Sequence, residues 1–187
     1  MIIGMRGHDF GRMEPRALAL AIREAGFEAT QLAFAKAFPA PAEQYMTPGA
    51  LSEIRSAFAG IVLPVMGCYV SASDRDPDVL AEAKARFKRS LSASVILGAD
   101  CVGTETTHFT FPESEREAAY ARLLDFTREV CAHAEQVHAL VGIEPVALHT
   151  LNTPELARRL IADVSSPNLR VILDTANLVT PETAAPE

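Results

Sequence analysis

Apolar positions along the chain fall into two kinds of segment that alternate. Short runs of consecutive apolar residues are followed by longer stretches in which apolar residues recur every three or four positions. The runs cover residues 2–5, 28–34 (E-A-T-Q-L-A-F), 61–70 (I-V-L-P-V-M-G-C-Y-V), 100–107 (D-C-V-G-T-E-T-T), 141–144 (V-G-I-E) and 169–174 (L-R-V-I-L-D). Runs this short, each flanked by helical periodicity, predict buried parallel strands. The intervening stretches predict helices with identifiable starts and stops. Glu14-Pro15 opens the first, Leu18, Ala21, Ile22 and Ala25 form its apolar face, and Gly26 stops it. Thr47-Pro48 caps the next, which carries Leu51, Ile54 and Phe58 on one side and closes at Gly60. Asp76-Pro77 starts a long helix to about Leu97, ended by Gly98. Residues 113–139 form another, with Ala119, Leu123, Phe126, Val130, Ala134 and Val137 near helical spacing. Asn152-Thr153-Pro154-Glu155 reads as the capped start of a last helix ending near Val164. Residues 36–49 carry prolines at 39, 41 and 48 and predict a long loop.

Strand–helix units of roughly thirty residues argue for a parallel sheet with helices outside it. A doubly wound sheet would commonly place a glycine-rich phosphate loop after its first strand. Here the first strand runs into R-G-H-D-F-G, which is not G-x-G-x-x-G, and no Walker motif follows. A (β/α) barrel places its functional groups at the C-terminal ends of its strands. His8, Glu105, Glu144 and Asp174 all fall at such ends, so the barrel is the expected α/β architecture.

Composition narrows the function classes. A chain of 187 residues is one domain or a large piece of one, with residues 1–179 as a partial barrel and 180–187 as a frayed polar tail. A formal net charge of −7 disfavours nonspecific attachment to nucleic acid or anionic lipid. The run Lys84, Arg86, Lys88 and Arg89 is expected to form a solvated helix face. No segment has the length of a membrane span, and the N-terminus lacks the apolar core of a signal peptide. Cys68, Cys101 and Cys131 are widely spaced and odd in number, which reads as reduced thiols in a cytoplasmic protein.

The chemistry is carried by acids at strand ends. V-G-I-E-P-V-A-L-H runs from a buried strand straight into Glu144, and L-R-V-I-L-D-T-A-N-L does the same into Asp174. A carboxylate at the end of a buried strand is costly unless something pairs with it. Alone, either acid could be an ion pair or a helix cap. Two successive strands that each deliver an acid at the same end point to a shared site, most simply a divalent cation. Glu105, in G-T-E-T-T, sits at another strand end and could bind substrate, support a ligand or cap a helix. His8 and His149 are candidates for lining the pocket, against the alternative of exposed loop histidines. His108, Phe109 and Phe111 read as a packing cluster, and His133 and His138 lie at a spacing that does not share a helix face.

On V-G-I-E-P-V-A-L-H, V-I-L-D-T-A-N-L and G-A-D-C-V-G-T-E, in this order on successive strands, the chain resembles the sugar phosphate isomerase/epimerase superfamily, the xylose-isomerase-like barrels. The resemblance implies one divalent metal ion (Mn, Zn, Mg or Co) held by a Glu after the fifth strand, an Asp after the sixth, a His after the seventh and a Glu after the eighth. Glu144 and Asp174 match the first two. It further implies that Glu144 is both ligand and acid/base, moving a proton between adjacent carbons of a small sugar or sugar phosphate through an enediol(ate). His8, Glu105, His149 and Asn177 are then the expected substrate contacts. Asn177 stands where many relatives carry His. A full barrel of this type takes about 250 residues, so two strand–helix units have no counterpart here. Two further expectations follow: a metal site that is weak in this chain or a catalytically incomplete, sugar-binding barrel, and homo-oligomers formed through open barrel edges. The superfamily also contains abasic-site endonucleases, a reading disfavoured by the negative charge and by few strand-end histidines.

Overall fold

The computed structural model describes residues 1–179, so the expected tail at 180–187 lies outside the described residues. Six strands occur in chain order: β1 (Gly4–Arg6), β2 (Ala29–Gln31), β3 (Val65–Gly67), β4 (Cys101–Glu105), β5 (Val141–Glu144) and β6 (Leu169–Val171). The helices between them are α1 (Pro15–Glu24), α2 (Phe34–Ala37), α3 (Pro48–Ala57), α4 (Pro77–Leu97), α5 (Arg116–Val137) and α6 (Pro154–Val164). Every ladder is parallel: β1 pairs with β2, and β3, β4, β5 and β6 pair in sequence order. Backbone bonds join the two groups, with Thr30 N–H donating to the Val62 carbonyl at 2.9 Å and Gly67 N–H to the Leu32 carbonyl at 3.0 Å. The result is the strand order of a barrel sector, each strand beside the next in sequence.

Helix starts follow the local chemistry. Thr47, Asp76 and Thr153 accept from the backbone N–H groups of Ala50, Asp78 and Leu156, and a proline follows each. Gly98 ends α4 at φ 75°, as glycine should; His138 and Ser165 take the same left-handed role after α5 and α6 at φ 59° and 53°.

The strands are shorter than the apolar runs. In residues 61–70 only Val65–Gly67 is strand, because Pro64 brings no N–H to the ladder. The run 28–34 stops pairing at Leu32, and α2 begins at Phe34, where strand and loop were expected. The three-proline segment is not a bare loop: Phe34, Phe38 and Tyr45 pack there with ring centroids 4.7–6.1 Å apart. The expected strand 169–174 leaves the sheet early. Ile172 N–H still donates to the Ile143 carbonyl at 3.0 Å, and Leu173 and Asp174 lie beyond.

The two faces of the sheet differ. Outward residues Val102, Val141 and Ile143 are at most 1% exposed and meet the inner faces of α4 and α5, where Phe87 and Phe126 stack edge-on at 5.6 Å. The inward face is built small, with Gly103 on β4 directly opposite Gly142 on β5. A Cβ on Gly103 or Gly142 would lie 2.6 or 2.8 Å from the Ile172 terminal methyl, so these glycines make the room that Ile172 fills. No helix among the described residues is long and apolar enough to cross a membrane.

Candidate active site

Strand alternation builds the site from that glycine layer. Two residues beyond Gly103 and Gly142 come Glu105 and Glu144, on the same inward face and one layer nearer the strands' C-terminal ends, while Asp174 follows Ile172 by two residues beyond the end of β6. Glu105 and Glu144 are register partners across β4 and β5, so their carboxylates emerge side by side. Glu144 is only 9% exposed, and its Oε1 accepts from the Asn177 side-chain amide at 2.6 Å. Burial pushes the Glu144 carboxyl above its usual range; the Asn177 bond opposes this, while the charges of Glu105 and Asp174 push the same way.

Asp174 is exposed, and its Oδ1 accepts from the Ala176 backbone N–H at 3.0 Å. That bond closes an Asx turn leading into a short 3-10 turn (Ala176–Leu178), which carries Asn177 toward Glu144. The Ala147 N–H donates to the Asn177 carbonyl at 2.8 Å, tying the turn to the loop after β5. Asp174 therefore helps to place Asn177, and its charge reaches Glu144.

His149 lies against Glu105, Nε2 to Oε2 3.8 Å, with its Nδ1 buried and without a protein partner. The backbone holds it there. Arg116 Nη1 donates to the carbonyls of His149 and Thr150, both at 3.1 Å, and His108 pairs with His149 across a bridge, rings 5.7 Å apart. Burial lowers the His149 pKa below the ordinary imidazole value. His8 sits in the turn after β1, its Nδ1 also buried and unpartnered, its pKa lowered by burial and then by Lys36.

Three more polar groups share this rim and were missed in the sequence reading: Gln31, Lys36 and Tyr69. The Tyr69 hydroxyl accepts from Gln31 Nε2 at 2.9 Å, and the Lys36 ammonium stands 3.6 Å from the Tyr69 ring centroid. Burial raises the Tyr69 phenol, and the charges of Glu105 and Glu144 add to the shift. The available signal was parity: Gln31 and Tyr69 sit at strand ends on the inward face. Lys36 lacked one, because α2 interrupts an expected loop.

The remaining candidates settle as packing. Phe109 and Phe111 stack at 5.9 Å under Arg116 and Arg75. His133 lies on α5 against Ser92, and His138 ends that helix. The basic run on α4 is largely neutralised: Lys84 pairs with Asp125 and Glu129, Lys88 with Glu129, and Arg89 with Glu82.

Hard oxygen donors suit a divalent cation such as Mg or Mn. Glu144 and Asp174 are carboxylates that could supply such donors. Among the described residues no group of three or more His, Cys, Asp or Glu side chains could enclose an ion.

The sequence profile of the xylose isomerase-like TIM barrel family matches residues 19–185. Among curated proteins, none matches the chain by sequence. Among solved structures, D-psicose 3-epimerase with D-tagatose from Clostridium cellulolyticum H10 superposes with a TM-score of 0.80 at 19% identity, over 99% of this chain and 67% of that one. The IolI protein with a bound zinc atom gives 0.78 at 18% identity, over 100% of this chain and 66% of that one. The apo form of the E. coli 3-keto-D-glucoside 4-epimerase YcjR gives 0.77 at 17%, over 91% and 67%. The chain thus spans about two thirds of the length of these structures. At such identities the likeness establishes the fold.

Proposed function

The chain belongs to the xylose isomerase-like TIM barrel family, and from that premise we propose that it acts on a small sugar, free or phosphorylated, as an isomerase or epimerase. The observation that carries this reading is the register pairing of Glu105 with Glu144, with Asn177 bonded to one oxygen of the buried acid. A carboxyl raised above its usual range by burial and by neighbouring acids is a stronger proton acceptor than an ordinary carboxylate. Its Oε1 is occupied by Asn177, so Oε2 is the atom that takes a proton from the carbon beside the sugar carbonyl and returns it to the adjacent position. Glu105, with His149 behind it, accepts hydrogen bonds from sugar hydroxyls; His8 and Tyr69 line the opposite side. Glu144 and Asp174 would hold a divalent metal, which when bound polarises the carbonyl and acidifies the neighbouring C–H. The known partners of two structural neighbours are consistent with this: one was crystallised with D-tagatose and another with zinc.

One observation favours a second reading. With two carboxylate ligands among the described residues, metal binding should be weak, and the chain by itself could bind sugar without turning it over. Exposed Val171 and Leu173 beside β6, and Ile2 and Ile3 beside β1, support homo-oligomers formed through the sheet edges. Light scattering checks this: a monomer at high concentration contradicts it. We also assign the protein to the cytoplasm and to carbohydrate metabolism, on its unpaired Cys68, Cys101 and Cys131 and on the proposed substrate. Nucleic acid is not among the proposed ligands.

Incubation with Mn²⁺ and a panel of ketoses tests the main reading. Conversion to an epimer or aldose that is lost in Glu144→Gln supports it. Conversion unchanged in that variant contradicts it, and sugar binding without conversion selects the second reading.

A further inference from the structure

A cavity of about 230 Å³ opens on the far side of Tyr69, between α2, β3 and α4. Its charged and polar lining comprises Lys36, Arg86, Arg89, Glu43 and Ser90. Three cations against one carboxylate is an unusual local balance in a chain of net charge −7. Those cations are not equally engaged. Arg89 Nη2 is taken by Glu82 at 2.8 Å, whereas the Lys36 ammonium stands over the Tyr69 ring at 3.6 Å. Among the described residues neither Lys36 nor Arg86 has a carboxylate within ion-pair distance. This sets Arg86 apart from its neighbours Lys84 and Lys88, which the same helix turns toward acids on α5. Arg86 is half-buried, with no ion-pair partner among the described residues, so its guanidinium donors are available to a ligand.

The position of Arg86 links this pocket to the site. Its side chain also lines the open cavity of about 720 Å³ that contains Tyr69, Glu105 and His108. Lys36 lies near enough for its charge to act on both Glu144 and His8. Lys36 and Arg86 both line the smaller pocket beside Tyr69, and Arg86 shares the larger cavity with Asp78, Glu82 and Glu105. A volume of about 230 Å³ lies below the roughly 300–1,000 Å³ of whole small-molecule sites and suits one end of a ligand.

Resting on the isomerase reading, we propose that the pocket between α2 and α4 binds the phosphate group of a phosphorylated sugar, with Arg86 and Lys36 as its contacts. The guanidinium fork matches two phosphate oxygens, the ammonium adds a point charge, and the Ser90 hydroxyl lies on the same wall. The sugar then extends past Tyr69 toward Glu144. The substrate is thus a sugar phosphate in preference to the free sugar.

The test is binding of inorganic phosphate to the full chain by calorimetry, with acetate as a parallel arm, in wild type, Arg86→Met, Arg86→Lys, Lys36→Met and Glu144→Gln, each checked for folding by its thermal melt. Wild type and Glu144→Gln are expected to bind phosphate alike, more tightly than acetate and less tightly as salt rises. Arg86→Met and Lys36→Met should each weaken it by roughly tenfold or more. Arg86→Lys should recover part of the loss, which a merely structural role for Arg86 would not produce. No phosphate binding, binding unchanged in folded Arg86→Met and Lys36→Met, or tighter acetate binding overturns the proposal. Glu144 is not needed for this binding, so the two readings fail separately. Glu144-dependent conversion of free ketoses without phosphate binding leaves the isomerase standing; phosphate binding without conversion of any sugar phosphate removes the isomerase and leaves the anion pocket.

Discussion

The outward and inward faces of β4 and β5 solve different problems with the same backbone. Outward, Val102, Val141 and Ile143 are packed to near-zero exposure against α4 and α5. Inward, Gly103 and Gly142 give up side chains altogether, and the next inward residues are Glu105 and Glu144. One face gains apolar burial; the other keeps an open layer where carboxylates can stand close together at an energetic cost. Mutations on the two faces should therefore separate stability from activity.

The largest expected effect lies inward. Glu144→Gln should reduce proton exchange by roughly 10³-fold or more, since it removes the proton carrier and keeps its shape. It should leave the fold intact, because Gln Oε1 still accepts from Asn177. A fall of the same size in melting temperature and activity together would erase the distinction between the faces.

Outward, Phe126→Ala should cost about 3–5 kcal/mol in denaturant unfolding, the price of a large cavity beside Phe87. Between the faces, Gly103→Ala should cost about 1–3 kcal/mol, because the new methyl meets the Ile172 terminal carbon. Combining Gly103→Ala with Ile172→Ala should recover part of that loss. Additive losses would show that the two do not share one space.

Smaller effects concern titration. Asn177 holds the Glu144 carboxyl down against burial and neighbouring charge, so Asn177→Ala should move the acid limb of the pH–rate profile to higher pH. An unmoved limb would mean that Glu144 is not the titrating group. Stability gives the same sign by another route. A carboxyl whose folded pKa is raised contributes stability below its unfolded value near 4.5, and that contribution is lost as pH rises through the folded pKa. The melting temperature of Glu144→Gln relative to wild type should therefore grow from acidic to neutral pH, by about 2 °C or less. The buried histidines act oppositely. His8 and His149 have lowered pKa values, so their contribution is present above about 6.5 and declines as pH falls below it.

Much of this was legible in the chain, for reasons that differ by residue. Glu144 stood out because a charge interrupts an apolar run, and the capped, proline-led starts of α3, α4 and α6 were plain. Strand length was not: apolar runs continue past the paired residues into connecting segments that are also buried, as Leu63 and Cys68 on either side of β3 show. The Asx turn that Asp174 makes ahead of Asn177 was also hidden, since its residue type fits a ligand and a turn equally well. Lys36 and Arg86 were illegible as a pair. They are fifty residues apart and line one cavity only because α2 and α4 flank β3.

The central claim is that Glu144 moves a carbon-bound proton. Proton NMR of a ketose or ketose phosphate in D₂O, with Mn²⁺ and the full chain, tests it most directly. Wild type should incorporate deuterium at the carbon beside the carbonyl while Glu144→Gln stays at the rate without protein. Equal incorporation in the two proteins, or none in wild type with sugar demonstrably bound, would contradict the account.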